Sequence, residues 1–409
     1  MNTSYSPVAA LALSALLLSS CASEPPSPAA APASPGPASS PAVRETSSAS
    51  PRLVLTHEGG LSVLDAGSLE LLSEIPLEGF LRLSNAGDGR HLAVAATGGF
   101  HLLDTGSWSE AHGEHAHHYT AEAALTGGLV AAGKAGHVVA AAGRTAFFDD
   151  ATGAVDVVGT HSLGSRQLET ERVLLPSAHH GVAVPLEDGG LIVSLDSAAG
   201  RSGAAVLSSD GSEILRSDDC PGLHGEAEAE NAVVFGCEDG MLVYRKGSFQ
   251  KVTSPDGYGR MGNHAGSPES PVVLADYKTD PDTELERPEV VALVDTADAK
   301  LRLVDLGTSY TFRSLGRGPG GEAVVLGTDG ALHVIDPGTG DVVSRLGVID
   351  PWVETADWQE ARPALHIIGS TAYVTDPARS RVLAVDLGSG KVLHATELDK
   401  VPNEIASAG

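Results

Sequence analysis

A hairpin with the same composition recurs along the whole of this chain. Its first copy is a short apolar strand, Arg52 to Thr56, a second, Leu61 to Asp65, a turn of small residues at Ala66, Gly67 and Ser68, and a third strand from Leu69 to Leu77. Equivalent turn positions fall at Asp65, Asp104, Asp149, Asp196, Arg245, Asp295, Asp336 and Asp386, at intervals of 39, 45, 47, 49, 50, 41 and 50 residues. Periods of about 40 to 50 residues holding three or four short strands mark a β-propeller, because each unit is a small sheet that must bury both faces against its neighbours. No helical periodicity of comparable length lies between the copies, which argues against alternating βα units. The expected fold is all-β, a β-propeller of eight blades, with seven as the alternative count if one copy is an insertion. The repeated aspartates are read as turn residues. The first copy begins at a second strand, so its innermost partner is expected from the C-terminal tail, around Asn403 to Ala406, closing the ring.

Three domains follow. An apolar run from Val8 to Leu18, ending in Leu18, Ser19, Ser20 and Cys21, resembles a bacterial lipoprotein signal peptide, although no Lys or Arg precedes it. Such a run is too short to span a bilayer as a mature helix. Residues 1–20 are therefore expected to be removed and Cys21 lipidated. Residues 22 to 51 hold eight prolines among Ala and Ser without apolar periodicity. With Cys21 they read as a tether, 21–51, that cannot bury enough surface to order itself. The propeller then occupies 52–409, outside the cytoplasm and attached to the membrane only through the lipid. In that oxidising setting the remaining cysteines, Cys220 and Cys237, are most simply a disulfide, with a thiolate metal pair as the alternative.

Formal charge is −27, from 53 acidic and 26 basic residues. A surface this acidic repels nucleic acid and concentrates cations, so nucleic acid is excluded as a partner. A cation ligand fits, and its donors are visible. His112, His115, His117 and His118 lie within seven residues of one another, flanked by Glu110 and Glu114, in an interval expected to join one blade to the next. Neutral imidazole is a favoured zinc ligand, and several close donors are needed for one ion. Histidines recur before the second strand of later blades, at His179 with His180, at His224 and, more weakly, at His264, which puts them at one level of the ring. On a strand the adjacent His179 and His180 face opposite ways, so only one easily joins a given site. His57, His91, His101, His137, His161, His333, His366 and His394 fall in or beside expected strands and read as structural or exposed.

Four stretches carry a family likeness: His112, Gly113, Glu114, His115 with His117; Ala178 to Pro185, containing His179, His180 and Gly181; Cys220 to Glu226, containing His224, with Phe235, Gly236 and Cys237; and Tyr373 to Pro377. In these the chain resembles the AztD family of extracytoplasmic zinc metallochaperones, over most of Arg52 to Leu398. The resemblance implies a β-propeller that binds Zn2+ through histidines from distant parts of the chain and hands it to the zinc-binding solute-binding protein of a zinc-uptake ABC transporter. It implies His112, His115, His179 or His180, and His224 as metal ligands, with His117 standing where an acidic residue is expected. The lipid anchor departs from a freely diffusing form.

The combined expectation is a monomeric, non-enzymatic zinc carrier. Loop and propeller-rim histidines would together hold zinc in one tetrahedral site, with outer carboxylates such as Glu114 or Glu226 orienting the rings. Because only neutral imidazole ligates, affinity should fall as pH drops through about 6.5. The rivals are a propeller scaffold for protein partners and a metal-dependent hydrolase. No serine-nucleophile motif or phosphate-loop order supports the latter.

Overall fold

The computed structural model describes residues 42–198 and 200–409. The expected signal peptide, Cys21 and all but the last ten residues of the expected tether lie outside that range.

Among the described residues, eight four-stranded antiparallel sheets follow one another along the chain, the fifth carrying one additional short strand. Their first strands follow one another around a closed ring: Ile405–Ala408, Arg82–Asn85, Ala135–Ala141, Ala183–Pro185, His224–Ala229, His264–Ala265, Leu315–Arg317 and Leu365–Ile368, neighbours touching directly except the fourth and fifth blades, which meet through Val184 with Phe235 and His180 with His224. The fold is an eight-bladed propeller, and these strands line its central channel. Closure is as the sequence suggests. The C-terminal strand Ile405–Ala408 pairs with Arg52–His57, from Leu55 opposite Ile405 to Arg52 opposite Ala408. Glu404 fastens the seam, accepting from the Leu83 amide at 2.9 Å and lying 3.4 Å from both Arg82 and Arg313.

The burial pattern follows from blade stacking. The second strand Arg52–His57 is buried at every position, because both of its faces are covered by neighbouring blades. The fourth strand Leu71–Pro76 is mostly exposed at the rim. The apolar clusters lie between blades, as where Leu53, Leu55 and Leu64 of the first blade pack on Tyr373, Val382 and Ala384 of the last.

Three readings need correction. The period is right, but its register slips: Asp65, Asp104, Arg245, Asp295, Asp336 and Asp386 close third strands, whereas Asp149 and Asp196 close second strands. Successive hairpins within a blade look alike in sequence, so a one-hairpin slip leaves the spacing almost unchanged. The His112 segment does not join two blades. It is a hairpin, Ser107–His112 and His115–Thr120, inserted between the third strand Gly99–Asp104 and the fourth strand Ala124–Ala131 of the second blade. Finally, part of the expected tether is ordered on it, since Arg44–Thr46 pairs with His115–Thr120 to make a separate three-stranded sheet.

Candidate metal centre

Strand direction alternates within a blade. Links between first and second strands, and between third and fourth, therefore emerge on one face, and links from blade to blade emerge on the other. The inserted hairpin is a third-to-fourth link. His180 sits in a blade-to-blade loop and His224 at the start of a first strand. The histidines expected to share one ion are consequently on opposite faces of the propeller. The single composite site is replaced by two separate groups of three imidazoles: His112, His115 and His117, and His137, His180 and His224.

In the hairpin group, His112 and His115 are direct cross-strand partners around the two-residue turn Gly113 and Glu114. Gly113 has φ +62°, a conformation that glycine adopts without steric cost. His115 and His117, two apart on one strand, share its face. Ring centroids are 5.0 to 5.5 Å apart, and His117 Nδ1 lies 2.7 Å from Glu45 Oε1 on the ordered N-terminal strand. His118 points the other way, to Ser109 Oγ at 2.8 Å. The hairpin is exposed, anchored where the Arg90 guanidinium lies 3.7 Å over the Trp108 ring.

The channel group is enclosed. His137 Nε2 and His180 Nε2 are 3.2 Å apart, and one nitrogen from each of His137, His180 and His224 falls within a 4.8 Å span. Two nitrogens bound to one tetrahedral zinc ion are themselves about 3.3 Å apart, given Zn–N bonds of about 2.05 Å. Two of the opposite ring nitrogens are held from behind. His224 Nδ1 donates to the Gly262 carbonyl at 2.7 Å, and His180 Nδ1 meets Asp150 Oδ2 at 2.7 Å. His137 Nδ1 faces Glu226 Oε2 at 3.7 Å. A proton on Nδ1 of His180 and of His224 leaves their Nε2 lone pairs pointing inward, the second-shell pattern of metal-binding histidines.

Local sequence explains these positions. Cys220 and Cys237 are joined by a disulfide that pins the turn leading into His224. A β-bulge between His224 and Glu226, with Gly225 at φ +68°, bends the strand at its upper end. Gly236, the cross-strand partner of His224, leaves no room for a side chain, because a Cβ there would come within 1.6 Å of the Met261 carbonyl.

Electrostatics keep His137 and His224 in their ligating form. His137 is driven well below the ordinary histidine range, first by burial and then by the neighbouring His224 and His180. Burial likewise takes His224 down to about 3, against a smaller opposing effect of the Gly262 carbonyl. Proton competition at His224 thus begins far below the ordinary 6.5 expected from sequence. Burial raises the Glu226 carboxyl to about 8. Asp150 Oδ1 and Glu226 Oε2 are both buried without a hydrogen-bond partner among the described residues.

Of the expected ligands, His180 and His224 converge and His179 does not. His179 instead bonds Ser177 O and Ser194 Oγ, at 3.0 and 2.8 Å, and packs on Phe148. His137, which reads from sequence as structural or exposed, is brought into the group by the channel. Aligning the repeats on first strands would have revealed it, since His137 and His224 both lie near the starts of such strands. Asp150 carried no metal signal beside the turn residue Asp149.

No known family model matches the chain. It is 26% identical over 364 residues to the zinc chaperone AztD of Citrobacter koseri, an alignment covering 85% of this chain and 84% of that protein. The crystal structure of Citrobacter koseri AztD superposes with a TM-score of 0.78 at 24% identity, over 88% of this chain and 98% of that one. The apo form from the same organism gives 0.76 at 22% identity, with the same coverage of 88% and 98%. The likeness carried by the four sequence stretches thus extends through most of the chain and its fold.

Proposed function

We propose that this chain, similar over most of its length to a zinc chaperone, is itself a zinc carrier that holds Zn2+ at His137, His180 and His224 in the mouth of the channel. The observation that carries this reading is the convergence of one nitrogen from each of the three, within 4.8 Å, while a buried carboxylate and a backbone carbonyl hold the opposite sides of the His180 and His224 rings. Three imidazoles leave one position of a tetrahedral ion open, as exchange requires. His180 stands on a loop, and its side chain is 34% exposed. An acceptor approaching from this face could take over ligands one at a time, so that zinc is never free.

In this reading the acceptor is the solute-binding protein of a zinc-uptake ABC transporter, and lipidation at Cys21 keeps the carrier at the cell surface. The exposed His112, His115 and His117 group is a second, independent site whose solvent-facing ligands exchange rapidly.

Competition with a calibrated chelator tests the assignment. The unmodified protein should bind zinc stoichiometrically. His180→Ala with His224→Ala should remove the tightest site, and His112→Ala with His115→Ala and His117→Ala should remove only a weaker one. Transfer to the acceptor should proceed in a chelator excess that traps free ion. The assignment fails if the channel variant retains the tight site, or if the unmodified protein binds zinc no better than a generic acidic surface.

A further inference from the structure

The open side of the channel triad faces a cavity of about 620 Å3, lined in part by His180 and His224. That is far more room than a hydrated ion needs, since one water occupies about 30 Å3 of liquid. The charges on its wall are not arranged for a bare cation. Each lining carboxylate is already engaged through at least one oxygen. Asp150 holds His180, and Asp276 accepts from the Gly262 and Asn263 amides and from Asn263 Nδ2. Glu286 accepts from the Thr279 and Asp280 amides, and Glu354 pairs with Arg362 at 2.7 Å.

Two lining cations are different. Arg260 and Lys278 form no ion pair with a carboxylate among the described residues, in a chain of net charge −27. They are also direct cross-strand partners, bridged by backbone hydrogen bonds of 2.8 and 3.0 Å. Side chains so placed leave the same face with their Cβ atoms about 5 Å apart, and like charges there repel. Arg201 strengthens the field. Its Nη1 is buried without a partner, and its guanidinium is lowered from the ordinary range by burial and then by Arg260. A multiply charged anion between Arg260 and Lys278 would relieve this repulsion, and the proposed zinc position, with one coordination place open, borders the same cavity.

We propose that the cavity receives zinc as a complex with a small organic polycarboxylate of the citrate class. One carboxylate completes the coordination of the ion, and the others pair with Arg260 and Lys278. The proposal rests on the reading of His137, His180 and His224 as the zinc site. The ligand thereby supplies the charge that the protein's own engaged carboxylates do not, and the carrier accepts chelated zinc without first stripping it.

Equilibrium dialysis of the zinc-loaded protein against 14C-labelled citrate, with zinc measured in the same samples, tests this. Citrate should be retained in proportion to zinc. Arg260→Gln with Lys278→Gln should weaken its retention on the order of tenfold or more, as expected for the loss of charge-assisted hydrogen bonds, while leaving zinc content unchanged. Retention of zinc without citrate, or citrate retention unaffected by the double substitution, overturns the proposal and leaves the zinc-carrier reading intact. Failure of the protein to retain zinc at all overturns both.

Discussion

The Nδ1 of His180 lies 2.7 Å from the Oδ2 of Asp150, a carboxyl whose side chain is 3% exposed. An acceptor so placed keeps the proton on the far side of the ring and presents Nε2 to the channel. Outer-sphere partners of this kind alter metal affinity by about 10- to 100-fold. Asp150→Asn should lower zinc affinity at the channel site within that range, without removing a ligand. Chelator competition would check it, and an unchanged affinity would mean that the contact does not orient His180 for metal.

The disulfide joins residues 17 apart and restrains the turn that delivers His224. Closing a loop of this length stabilises by about 3 kcal/mol in the chain-entropy model. Cys220→Ala with Cys237→Ala should lower the thermal midpoint and weaken zinc binding together. A lower midpoint with undiminished zinc affinity would separate the bridge from the site.

His366, on the channel strand of the last blade, bonds Ser407 Oγ of the closing strand at 2.7 Å, and burial pulls its pKa down to about 4. In the unfolded chain the same ring has a value near 6.5. Between these values the unfolded state binds more protons, so stability rises with pH across this window. The contribution is fully present above about 6.5 and is lost as pH falls to about 4, a change on the order of 3 kcal/mol. Denaturant unfolding of the wild type and His366→Gln at pH 7 and pH 4.5 should show a smaller pH effect in the variant. Equal effects would assign the acid sensitivity elsewhere.

Ring closure rests on the last strand. Deleting residues 404–409 removes the partner of Arg52–His57 and the carboxylate that lies between Arg82 and Arg313. It should expose an unpaired strand edge and lower the unfolding midpoint well beyond the effect of the single variants above. Aggregation measured by light scattering should rise, because an open edge pairs with other chains. A deletion that left both readouts unchanged would show that the ring holds without its C-terminal fastening.

The sequence by itself determined the repeat, favoured eight copies over seven, and pointed to closure through the C-terminal strand. Each depends on local alternation of apolar residues and turn chemistry, which a linear reading detects directly. The dense cluster of His112, His115 and His117 was legible for the same reason, because its members are near neighbours on one hairpin. Only the tertiary structure decided that this hairpin and His224 lie on opposite faces, since the face depends on which link of a blade carries the insertion. It alone chose His180 over His179 and brought in His137 and Asp150. His137 and His224 stand 87 residues apart in sequence and meet because the first strands of the third and fifth blades share one channel. That proximity follows from closing the ring, a long-range constraint that no local pattern encodes.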